Sequence, residues 1–154
     1  MIKIITILLA LTCIAYAGDL PDPTKTPGMA DPTLTKERLC AKGFSTKTVR
    51  NVPPEMRKAA FAGYGIDCTN RKPSCATVWE LDHLISLEIS GANDVKNLWP
   101  EHYSSPHGAR TKDKLENKLH AQVCSNRMSL EDAQNCISSD WIACYKRVMG
   151  VPPQ

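Results

Sequence analysis

One pair of adjacent residues has the chemistry to do work: Asp82 and His83. They sit in the stretch W-E-L-D-H-L-I-S-L-E-I-S-G-A-N-D-V-K-N-L-W-P, Trp79 to Pro100. A neutral imidazole near its ordinary pKa takes a proton from water at physiological pH. A carboxylate beside it can hold a hard divalent ion, and such an ion can polarise a substrate oxygen and stabilise developing negative charge. Asp-His by itself is a common dipeptide. Its spacing to the Gly/Asn/Asp-rich turn at Ser90 to Asp94, and to Asn97-Leu98-Trp99, is far more specific.

Several elements must position that pair. Val78, Leu81 and Leu84 to Leu87 read as a mostly apolar strand, and Leu98-Trp99 as a second short one. Asp82 and His83 then lie near a strand end beside a loop, where buried scaffold meets solvent. Successive residues of a regular strand point to opposite faces, so the two side chains converge only if the chain bends there. The turn residues downstream fit that need. Ala109 to Cys124 has helical periodicity, with Leu115, Leu119 and Val123 as its apolar stripe. At roughly 100° per residue, Asp113, Glu116 and His120 share one sector at the edge of that stripe. Upstream, Thr35 to Cys40 reads as a short helical turn. Phe44 to Val52 alternates weakly, as a strand would, until Pro53-Pro54 breaks it. Pro54 to Tyr64 reads as a helix. Downstream, Ser129-Leu130-Glu131-Asp132 resembles a capping box opening one helix that runs to Gly150.

The combination of D-H, an apolar segment and G-x-N-D-x-x-N-L resembles the HNH nucleases, members of the ββα-metal (His-Me finger) group. The resemblance implies an α+β fold: a ββα-metal core of two short antiparallel strands and a helix, with additional helices. It implies that Asp82 binds a divalent metal, Mg²⁺ or Mn²⁺, that His83 is the general base, and that Asn97 braces the loop carrying His83. Cys40-Ala41-Lys42-Gly43-Phe44-Ser45, followed by Arg50, is similar to a C-x-x-G-[FY]-[ST] stretch followed by Arg in secreted relatives. The likeness thus extends over most of the chain. Those relatives also imply a Cys40–Cys124 bridge. Two departures stand out. Many HNH sequences place a His or Asn in the first turn of the final helix as a further metal ligand, and Ala109 to Thr111 offers neither. Asp113 or Glu116 is the expected substitute, with His120 a weaker one. The zinc-binding C-x-x-C pairs of many HNH proteins are also absent. Arg50, Lys58, Arg110 and Lys112 are the cations expected to meet a nucleic-acid backbone, with Lys114 and Lys118 beside them.

The chain's 154 residues allow one domain of ordinary size. Residues 1–17 read as a secretory signal: a positive start, an apolar run from Ile4 to Ile14 too short for a comfortable membrane span, and Ala15-Tyr16-Ala17 as cleavage site. Cys13 follows Leu11-Thr12, a poor setting for lipoprotein processing. Cleavage removes Cys13 and Lys3, so seven Cys become six and the formal charge of +3 becomes +2. An even number of Cys in an exported chain suggests disulfides, with 15 pairings open to six. So mild a charge does not by itself indicate nucleic acid. Cys68 and Cys75 flank a turn-rich loop and suit a local bridge, the rival being a metal-binding pair without supporting His. Cys136 and Cys144 are eight residues apart, about 12 Å of helical rise. Both within one helix, they cannot bond each other, because a disulfide needs Cα atoms within about 7 Å. They need other partners, or the helix breaks. Residues 18–35 hold four Pro and read as an extended segment draped on the domain, or a linker. The nuclease-like domain spans 36–150.

These features lead to an expectation of an exported, metal-dependent endonuclease acting on DNA or RNA with little sequence preference, and with no stable membrane association once the signal is cleaved. The alternative is a non-catalytic extracytoplasmic binding protein on a degenerate HNH fold.

Overall fold

The computed structural model describes residues 20–105 and 107–153. The signal segment lies outside the described residues. Among the described residues, six α-helices and two strands follow one another as α1 (Lys36–Leu39), α2 (Pro54–Gly63), α3 (Cys75–Val78), β1 (Trp79–His83), β2 (Leu98–His102), α4 (Ala109–Cys124), α5 (Leu130–Ser139) and α6 (Trp141–Met149). Short 3-10 turns occur at Thr46–Thr48, Leu87–Ile89 and Val95–Asn97. The fold is mixed α+β, with a two-stranded antiparallel sheet and three disulfides.

The strand register pairs Trp79 with His102, Glu80 with Glu101, Leu81 with Pro100, Asp82 with Trp99 and His83 with Leu98. Side chains alternate across a sheet. Trp79, Leu81 and Leu98 therefore share one face and pack with Ala60 and Phe61 of α2 in a small core. Glu80, Asp82, Trp99 and Glu101 share the other. A second core joins Leu115, Leu119 and Val123 of α4 to Ala133 and Ile137 of α5 and Trp141 and Tyr145 of α6, with Ile85 and Ile89 from the connection between the strands. Each fully buried side chain of this size contributes about 1.5–3 kcal/mol.

Three local expectations are corrected. Leu84 to Leu87 is not strand: β1 ends at His83, and the apolar residues beyond it are buried in a loop. Phe44 to Val52 is not strand either, because Ser45 caps a 3-10 turn at Thr46–Thr48. The single helix to Gly150 is two. Asp140 has an extended backbone (φ −165°, ψ 98°) and its side chain accepts from the Ala143 N–H, capping α6. The bend brings the Cα atoms of Cys136 and Cys144 to 5.4 Å, and they are disulfide-bonded. Cys40–Cys124 and Cys68–Cys75 are the other bridges.

The Pro-rich N-terminal segment is tied onto the domain. The Gly28 N–H donates to the Lys96 carbonyl, the Ala92 N–H to the Met29 carbonyl and the Asp31 N–H to the Ser90 carbonyl. Thr26 is buried, its hydroxyl 3.0 Å from the Leu98 carbonyl. Among the described residues, no helix is long and apolar enough to cross a membrane.

Candidate functional site

The connection between β1 and β2 folds back on itself, and Asn97 holds it there. Its buried Oδ1 accepts from the N–H of Ile85 at 2.9 Å and of Met29 at 3.3 Å. Its Nδ2 donates to the carbonyls of Ile85 at 3.0 Å and Ala92 at 2.9 Å. These four bonds use the full capacity of the amide. They clamp residues 85–92 immediately after His83. The clamp also needs Gly91, where a Cβ would lie 1.7 Å from the Ile85 carbonyl oxygen.

His83 is 2 % exposed. Its Nε2 lies 3.2 Å from Asn93 Oδ1. Asn93 donates from Nδ2 to the Val49 carbonyl at 2.8 Å, while its Oδ1 accepts from the Asn51 N–H at 2.9 Å. Facing an oxygen, Nε2 must carry the ring proton, and Nδ1 keeps its lone pair with no hydrogen-bond partner. Burial pushes the pKa of His83 down to about 4, against the upward pull of the Asp82 carboxylate and the Asn93 hydrogen bond. At physiological pH the imidazole is neutral, with Nδ1 as a basic nitrogen.

Lys112 is 0 % exposed, although it stands in the first turns of α4. Its Nζ donates to Asp82 Oδ2 at 2.7 Å, to the His83 carbonyl at 2.7 Å and to Glu116 Oε1. An ammonium has three donors, and all three are used. Burial alone would lower its pKa, but the Asp82 and Glu116 carboxylates outweigh that and raise it above the ordinary lysine value. Burial pushes Glu116 up against the opposing pull of Lys112. Glu101, opposite Glu80 in the sheet, is 1 % exposed with neither carboxyl oxygen hydrogen-bonded. Burial first, then the Asp82 charge, push it to about 9, so it is protonated at neutral pH. Burial and Asp82 also raise Glu80 and Asp113.

The fold thus gathers Asp82, His83, Asn97, Glu116 and Lys112 around the end of β1. Arg50, exposed, follows Val49, which holds Asn93, and its charge acts on His83, Glu80 and Asp113. Asp113 is exposed on α4 near the same group. Two residues lie apart or face elsewhere. His120 contacts the Leu39 carbonyl through Nε2 at 3.2 Å, beside the Cys40–Cys124 bridge. Lys58 lines a separate groove with Phe61, Ile66, Cys68 and Cys75. Arg110 is exposed at the start of α4. The expectation that Lys112 meets a nucleic-acid backbone is corrected by its burial, since no donor of its ammonium is left for a phosphate.

Sequence reasoning missed the role of Asn93 and gave Lys112 a surface role in place of its buried one. Asn93 is the N of the G-x-N-D motif, and its position there was the available signal. Lys112 lies three residues before Leu115 and seven before Leu119, on the buried stripe of α4.

A divalent ion was expected on Asp82 with Asp113 or Glu116. The residues do not fit it. The Lys112 ammonium holds one oxygen each of Asp82 and Glu116. Among the described residues, the only three His, Cys, Asp or Glu ligand atoms that converge belong to Cys40, His120 and Cys124. Those two sulfurs are bonded to each other and offer no thiolate. Compared with protein-family models, with curated proteins and with solved structures, the chain finds no match in any of the three.

Proposed function

We propose that the protein is an exported phosphodiester hydrolase of the HNH type, a nuclease acting on DNA or RNA with little sequence preference. One observation carries this reading: His83 is held as the Nε2–H tautomer by Asn93, and Nδ1 is left as an unshared base. The order β1, β2, α4, with Asn97 clamping the connection, supports it as the arrangement the HNH resemblance implies. In the reaction, Nδ1 takes a proton from a water as that water's oxygen bonds to phosphorus. The bond from phosphorus to the leaving oxygen breaks, and that oxygen is protonated from solvent. On this reading Arg50, exposed and felt electrostatically by His83, meets the phosphate by charge-assisted hydrogen bonds. The three disulfides and the signal-like first residues support export.

One observation favours a second reading, a nucleic-acid-binding protein without catalysis: His83 and Lys112 are both sealed from solvent. Incubating the exported, disulfide-intact protein with supercoiled plasmid and with single-stranded RNA separates the two. Nicking or RNA shortening supports the hydrolase. A mobility shift with intact product supports the binder.

A further inference from the structure

We infer that Lys112 is a built-in cation: its ammonium takes the place of a divalent metal between Asp82 and Glu116, and the centre works without one. This deepens the hydrolase reading and rests on it for its catalytic part only.

The argument is geometric. Two carboxylates, on β1 and α4, both turn an oxygen to one nitrogen, and the third ligand of that nitrogen is the backbone carbonyl of His83. A hard divalent ion would seek this same set of oxygens, at about 2.0–2.1 Å for Mg²⁺. Here an ammonium occupies their common focus, fully enclosed, with every proton donated. An added dication would stand beside this cation with no convergent set of three acidic or imidazole ligands among the described residues. Glu101, a further buried carboxyl on the same sheet face, is held neutral by burial.

Two roles normally given to one metal are thereby divided. Lys112 neutralises Asp82 and Glu116 and fixes the carbonyl of His83, so it is a positioning residue that touches no substrate. Charge on the phosphate is left to the exposed Arg50.

The test is a titration with Mn²⁺, followed by thermal melting and by the paramagnetic resonance signal of the free ion. The native protein is expected to keep its melting temperature and to leave the ion free. Lys112→Ala vacates the focus, so Mn²⁺ should bind and raise its melting temperature by about 5 °C, consistent with saturation of a folded-state site. Asp82→Asn added to Lys112→Ala should abolish that gain. A merely structural lysine would produce no such gain of binding. In the nicking assay, EDTA is expected to change the native rate by less than about twofold, because no metal lowers the barrier. Mn²⁺ binding by the native protein that Asp82→Asn removes would overturn the inference, as would cleavage lost in EDTA and restored by Mn²⁺. If Lys112→Ala does not fold, the native titration still decides. If the native protein cleaves nothing, the hydrolase reading fails while the Mn²⁺ result still decides the role of Lys112.

Discussion

At the scale of single residues, His83 and Lys112 carry opposite consequences of burial. A group whose pKa is lower in the folded than in the unfolded chain stabilises the fold above its unfolded value. It loses that contribution as pH falls toward its folded value. For His83 the window runs from 6.5 down to about 4. The full shift corresponds to about 3 kcal/mol. Urea titrations across that window should show the native protein losing stability on acidification more steeply than His83→Gln. Parallel slopes would mean that His83 is not held neutral by the fold. Lys112→Met leaves Asp82 and Glu116 without their cation. Such one-sided breaking of a buried pair costs about 3–5 kcal/mol. The cost should shrink when Asp82→Asn accompanies it, as a double-mutant cycle in urea will read. His83 and Asn97 were legible in the sequence because their motif spacing is specific. Lys112 was not, because a charged residue on an apolar stripe was read by its type rather than by its phase.

At the scale of elements, the connection from Leu84 to Asn97 does what a longer strand could not. Ending β1 at His83 frees the chain to turn, and the turn is held by the Asn97 amide and by the close approach of Gly91 to Ile85. Gly91→Ala forces backbone against backbone, and a loss of at least about 2 kcal/mol is expected in chemical denaturation, with loss of cleavage. The helices α2 and α4 were legible from apolar periodicity and from Pro54. The strand reading ran too far because Leu84, Ile85 and Leu87 are as apolar as a buried strand, though Ile85 is buried in the core of α4, α5 and α6 rather than in a sheet. The break at Asp140 was written as Ser139-Asp140-Trp141, a helix-start signal inside a helical pattern. The capped break, not the periodicity, lets Cys136 meet Cys144.

At the scale of the whole molecule, one core lies on the Trp79, Leu81 and Leu98 face of the two-stranded sheet and a second lies among α4, α5 and α6, and the bridges join what the sheet does not. Cys40–Cys124 links α4 to the segment just after α1 across 84 residues, whereas Cys68–Cys75 and Cys136–Cys144 close loops of 7 and 8. On loop-closure entropy, replacing Cys40 and Cys124 by Ser should cost about 4–5 kcal/mol and each short pair about 2–2.5 kcal/mol. Urea midpoints of the three double variants will show that order or refute it. The six Cys that follow the signal-like segment made a disulfide framework legible. That residues 18–35 drape on the domain was one of two readings of their Pro content, but the docking of residues 26–31 on the Ser90 to Asn97 turn was not legible, since backbone hydrogen bonds between distant segments leave no periodic trace. The central claim concerns His83 as the base, and it is tested most directly by the initial rate of plasmid nicking by the native protein and by His83→Ala, side by side at neutral pH, with both shown to be folded by their melts. A fall of at least about a hundredfold in the variant is the result expected of a lost general base. Equal rates from the two proteins would contradict the account.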